Sequence, residues 1–178
     1  ATGEAKAYNG GNAINNTGMV IKKPLVEVTE AEYDTMFAVN AKAAFFFIQE
    51  AGKQLADDGN ICTIVSSLLA AYTPLYAVYP GSKAPIEHFT RAASKEFGER
   101  GISVNAVGPG PMDTPFFYPA ETPERVEFHK SQGMGNRLTF IEDIAPIVDF
   151  LSTDGHWITG QTLVVDGGAH IVGAGLQG

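Results

Sequence analysis

Apolar residues recur along the 178-residue chain with two different periods, and the switching between them predicts alternating helices and strands. From Thr29 onward, Tyr33, Met36, Phe37, Asn40, Ala44, Phe47 and Ile48 recur at helical spacing, and Thr29 with Glu32 has the spacing of a capping box. One member of that buried stripe, Asn40, is polar. A second stripe (Ala38, Ala41, Phe45, Phe46) makes the same helix apolar on most sides, which predicts cover from a partner subunit as well as from the core. Ile61–Val65 is a short continuous apolar run, the pattern of a strand buried on both faces. A helix is expected from about Tyr79 to Glu99. Ile86, Phe89, Ala93 and Phe97 lie on one face, Glu87, Arg91, Lys95 and Glu99 on the other, and Gly101 is the stop.

Ile102–Val107 reads as the next strand. The stretch from Gly108 to about Phe140 is rich in Pro and Gly and weakly periodic, and a loop of that length inside a compact domain is usually functional. Thr139 and Glu142 offer a second capping box for a helix to about Leu151, which Pro146 should weaken or kink. Thr162–Val165 is a last strand before Asp166-Gly167-Gly168. The alternation predicts an α/β fold, a three-layer, Rossmann-like parallel sheet with helices on both faces, within a single domain spanning 1–178. Residues 1–12, Gly- and Asn-rich and unpatterned, read as a loop or remnant. In such sheets ligands bind at the carboxyl ends of the strands, here Asn15–Gly18, Ser66–Ser67 and Gly108–Thr114.

Composition narrows the class. Hydrophobic residues make up 44% and charged residues 18%, as in a globular protein, and the net charge of -8 with no Lys/Arg cluster argues against a nucleic-acid partner. The single cysteine, Cys62, forms no internal disulfide and reads as a small buried hydrophobe, so a reducing, cytoplasmic setting is expected. No window approaches the length of a membrane span and no basic-then-apolar leader opens the chain, so no membrane association is expected. His88, His129, His156 and His170 lack metal-ligand spacing and read as structural, so no metal is expected. Trp157, Phe116, Phe117 and Tyr118 suit either a pocket wall or packing.

Tyr79 and Lys83 stand four apart, on one face of a helix start. A phenol is a poor base at neutral pH, and a neighbouring ammonium favours its ionised form. Bringing its pKa from ~10 to ~7 takes roughly 4 kcal/mol. The pair gains weight from its company: Ser66-Ser67 at a strand end, Asn40 on a buried helix face, Asn15-Asn16-Thr17-Gly18, Pro109-Gly110 with Thr114, and Ile158-Thr159-Gly160-Gln161 leading into Val165-Asp166-Gly167-Gly168.

Together, from about Ala13 to Gly168, these resemble the short-chain dehydrogenase/reductase family. Tyr79-Pro80-Gly81-Ser82-Lys83-Ala84 is similar to its YxxSK motif, and Ser103–Gly110 to its strand leading to a Pro-Gly pair. The resemblance implies reversible interconversion of a small-molecule alcohol and a carbonyl with NAD or NADP. Tyr79 would exchange the proton. Lys83 would lower the tyrosine pKa and hold the nicotinamide ribose, and Asn40 would hold a water linking Lys83 to solvent. A serine would bind the substrate oxygen. Ser66 leaves the family's usual count before Tyr79, whereas Ser67 matches the second serine of its strand-end pair and is preferred, with a loop one residue shorter. Asn15, Thr17 and Gly18 would line the cofactor's ribose and phosphate path. Pro109, Gly110, Met112 and Thr114 would cradle the nicotinamide. A homodimer or homotetramer built on helix pairs is implied.

The sequence departs from the family in having no glycine-rich turn after a first strand, so the fold is expected to be N-terminally incomplete, with poor cofactor affinity and an unpaired sheet edge. This keeps open a catalytically impaired remnant acting as a binding or scaffold module. A cofactor-free lyase such as a halohydrin dehalogenase would carry Arg where Lys83 stands. A serine hydrolase lacks its motifs here.

Overall fold

The computed structural model describes residues 10–170, so the loop expected over 1–12 lies outside the described residues as far as position 9. Four strands, β1 (Asn12–Asn15), β2 (Asn60–Ile64), β3 (Ser103–Pro109) and β4 (Thr162–Val165), form one parallel sheet in the order β1-β2-β3-β4. Ile61 registers with Val104, and Val107 with Leu163. Every residue of β3 is buried, the condition its continuous run anticipates.

Helices cover both faces. On one side α2 (Ala43–Gln54) and α4 (Pro85–Glu96) pack Ile48 and Ala93 onto Ile61, Ile102 and Val104. On the other, α6 (Ile141–Leu151) packs Ile144 and Leu151 onto Cys62 and Val107. Cys62 is the small buried hydrophobe expected, and burial pushes its thiol up to about 11. The architecture is therefore the expected α/β, three-layer, Rossmann-like one. Among the described residues no helix is long and apolar enough to cross a membrane.

The capping box at Thr29 forms. Glu32 N–H donates to the Thr29 hydroxyl at 3.3 Å and Thr29 N–H to the Glu32 carboxylate at 2.8 Å, opening α1 (Glu30–Phe37). A π-helical stretch, Ala38–Lys42, joins α1 to α2 and carries Asn40. Phe45 and Phe46 of the second apolar stripe are 43% and 47% exposed in this chain.

Three sequence expectations are corrected. The helix expected from Tyr79 to Glu99 divides at Ala84 into α3 (Val78–Lys83) and α4, because Pro85 brings no N–H and takes the first position of the second helix. The Thr139–Glu142 box does not form. Thr139 instead bridges Met112, and α6 starts one residue later, with Phe140 N–H donating to the Asp143 carboxylate at 2.8 Å. Pro146 sits inside α6 without ending it. Within the supposed loop lies α5 (Pro123–Gln132), announced by Thr122, which accepts from Arg125 N–H, and by Pro123 at the first position. It is missed by periodicity because Val126 is its one buried residue.

Candidate active site

The carboxyl ends of β1, β2 and β3 open onto a cavity of about 810 Å³. Tyr79 and Lys83, one turn apart on α3, both line it. So do Ser66 and Ser67 from the end of β2, and Thr17 and Gly18 from the end of β1. Pro109, Gly110, Met112 and Thr114 contribute from the segment after β3. Two expected site residues, Asn15 and Asn40, are not in the wall.

Those two asparagines shape the wall from behind. The Asn15 carboxamide oxygen accepts from Thr17 N–H at 3.0 Å and turns the chain as it leaves β1. Asn40 clamps the next stretch. Its oxygen accepts from Met19 N–H at 2.9 Å, while its amide donates to Met19 O at 3.0 Å and to the Ser82 hydroxyl at 2.9 Å. Both amide hydrogens are thereby committed. Ser82 in turn donates to Tyr79 O, which links the β1 end to the helix bearing the tyrosine.

Lys83 is 3% exposed. Its ammonium donates to Thr17 O at 3.2 Å and Ile64 O at 3.0 Å, leaving one of its three hydrogens for a ligand. Burial lowers its pKa to about 8. Gly18 makes this reach possible, since a Cβ there would stand 3.0 Å from Lys83 Nζ and 3.4 Å from Asn40 Oδ1. Gly110 is similarly close-fitted. A Cβ on it would lie 2.6 Å from that of Asp166.

The Tyr79 phenol is nine-tenths buried, and burial raises its pKa, opposed by the Ser66 hydroxyl beside it. Both serines line the cavity, with the Ser66 hydroxyl beside the phenol, and the Lys83 ammonium one turn away is bonded to two backbone carbonyls.

The cavity suits the nicotinamide end of a dinucleotide. Its floor carries glycines at two close-fitted positions, a lysine with a remaining donor, and otherwise mostly apolar walls. Among the described residues no group of three or more His, Cys, Asp or Glu is placed to hold a metal ion. Sequence reasoning missed a polar cluster formed by Lys22, Tyr76, Glu121 and His129, of which Tyr76 and His129 line the cavity. Glu121 and Lys22 are 99 positions apart, and no local motif marks either.

A family model described as enoyl-(acyl carrier protein) reductase matches residues 11–170. A short-chain type dehydrogenase/reductase of Picea abies is 37% identical over 160 residues, covering 87% of this chain and 59% of that protein. A Burkholderia cenocepacia protein described as a dehydrogenase, solved with bound NADP, is 61% identical with a TM-score of 0.87, covering 89% of this chain and 62% of that one. The angucycline C-6 ketoreductase LanV with bound NADP is 33% identical with a TM-score of 0.85, covering 90% and 62%. The chain thus spans about six tenths of the length of these relatives, between 59% and 62%.

Proposed function

The chain belongs to the short-chain dehydrogenase/reductase family, and from that premise we propose that it carries the catalytic part of an NADP-dependent oxidoreductase interconverting an alcohol and a carbonyl. The observation that carries this reading is the convergence of Tyr79, Ser66 and Lys83 on one cavity at the carboxyl ends of three parallel strands. NADP is preferred over NAD because the Burkholderia protein and LanV were both solved with it.

In reduction, Tyr79 Oη gives its proton to the carbonyl oxygen of the substrate, and in oxidation it takes the proton back. The Ser66 hydroxyl donates to the same oxygen and steadies its developing charge. Lys83 uses its remaining hydrogen on the ribose, and its positive charge stabilises the phenolate left when Tyr79 has given up its proton. Thr17 and Gly18 would line the ribose path, and Pro109, Gly110, Met112 and Thr114 would hold the nicotinamide. The nicotinamide, when bound, supplies the hydride in reduction and accepts it in oxidation. Asn15 and Asn40 are positioning residues that set the backbone on which Lys83 rests.

The test follows NADPH consumption by the chain with a panel of aldehydes and ketones. Tyr79→Phe should abolish turnover with an unchanged melting temperature, and Ser66→Ala should damage kcat more than Ser67→Ala. Turnover of Tyr79→Phe within about tenfold of the parent contradicts the assignment of the proton donor. No change in melting temperature with millimolar NADPH or NADH would favour instead the non-catalytic binding module.

A further inference from the structure

The Glu121 side chain is 0% exposed. It precedes α5, in the segment that carries the aromatic wall residues Phe116 and Phe117. Three groups from separate parts of the chain meet it. Lys22, before α1, donates to Oε2 at 2.6 Å, the Tyr76 hydroxyl donates to Oε1, and His129 Nε2 of α5 lies 3.6 Å from Oε1. Lys22 also stands over the Tyr76 ring, 5.4 Å from its centroid. Arg125 adds positive charge toward Tyr76 and His129. Although burial works against its charge, the hydrogen bonds from Lys22 and Tyr76 hold the Glu121 carboxyl below the ordinary range. Burial keeps His129 below its ordinary value despite the pull of Glu121.

Two of these partners belong to the cavity. Tyr76 and His129 both line it, and the His129 ring packs edge-on to Phe117 with centroids 5.5 Å apart. Tyr76 also belongs to the turn that delivers the proton donor. Tyr79 N–H donates to Tyr76 O at 3.1 Å, and the two rings lie 6.5 Å apart. We propose that Glu121 is a positioning residue that fastens the aromatic cavity wall to the Tyr76–Tyr79 turn and thereby fixes where the Tyr79 hydroxyl stands. The role rests on the oxidoreductase reading of Tyr79. A buried carboxylate is stable only with its partners in place, so the cluster forms as a unit or not at all. The segment has little else to hold it, for α5 contributes one buried residue.

The test compares the full chain with Glu121→Gln, Glu121→Ala and Tyr76→Phe by amide hydrogen exchange and by steady-state kinetics. In Glu121→Ala the amides of Tyr79 and Gly81 should exchange about tenfold faster or more, Glu121→Gln should be intermediate, and the amides of Val104 and Ala106 in β3 should be unchanged. The kcat should fall about tenfold or more in Glu121→Ala and recover partly in Glu121→Gln, which keeps an acceptor for Tyr76. Unchanged exchange at Tyr79 and Gly81, or a rise in KM with kcat untouched, overturns the inference. Should Glu121→Ala fail to fold, Tyr76→Phe, which removes a single hydroxyl, carries the same exchange comparison. If exchange follows the expected order while the parent itself turns over no carbonyl, the positioning role stands and the oxidoreductase reading falls.

Discussion

Replacing Lys83 by methionine tests the central electrostatic feature of the site. The parent ammonium is buried, and its pKa falls from 10.5 to about 8. At about 1.36 kcal/mol per pH unit, that drop means the folded protein gives up roughly 3 kcal/mol to carry the charge below pH 8. Between pH 8 and 10.5 the unfolded chain binds a proton that the folded protein has released, so the contribution of Lys83 to stability rises with pH across this window and is flat below it. Lys83→Met removes the cost, but it also leaves Thr17 O and Ile64 O without their donor, at about 1–3 kcal/mol for each group that stays unpaired. The two effects nearly offset at neutral pH, so the decisive quantity is the pH dependence. Urea unfolding of parent and variant at matched pH from about 7 to 9.5 should show the parent gaining about 2 kcal/mol on the variant. Cys62, Tyr76 and Tyr79, whose pKa values are raised, titrate in both proteins and cancel in the difference. A difference that stays constant across this range refutes the account. Turnover should be lost in the variant throughout.

Two further outcomes follow from the same floor of the cavity. Gly18→Val places a Cβ 3.0 Å from Lys83 Nζ and should weaken NADPH binding, measured by titration, about tenfold or more, whereas unchanged affinity would show that Lys83 can yield. Asn40→Leu removes the three hydrogen bonds to Met19 and Ser82 and should cost about 3–5 kcal/mol in urea unfolding, and a loss below about 1 kcal/mol would show that the clamp is dispensable.

Much of the fold is legible locally. The capping box at Thr29, the apolar run of β2 and the left-handed Gly101 (φ 68°) each depend on residues within a turn or two of one another. Helix α5 escaped periodicity, yet Thr122-Pro123 announces it by capping chemistry. The choice between Ser66 and Ser67 was not legible. Both serines reach the same cavity wall, and the 3-10 turn that follows, Ser67–Leu69, rather than a residue count, sets which hydroxyl stands beside the phenol.

The sequence by itself determined that Tyr79 and Lys83 share a helix face and that this helix stands at the carboxyl ends of parallel strands, because a four-residue spacing and a repeated alternation of periods are local properties. Only the tertiary structure decided where the lysine's hydrogens go, how far burial raises the phenol's pKa and how Glu121 gathers partners from 45 and 99 positions away. Solvation and long-range distance are set by packing, and neither is written in the order of neighbouring residues.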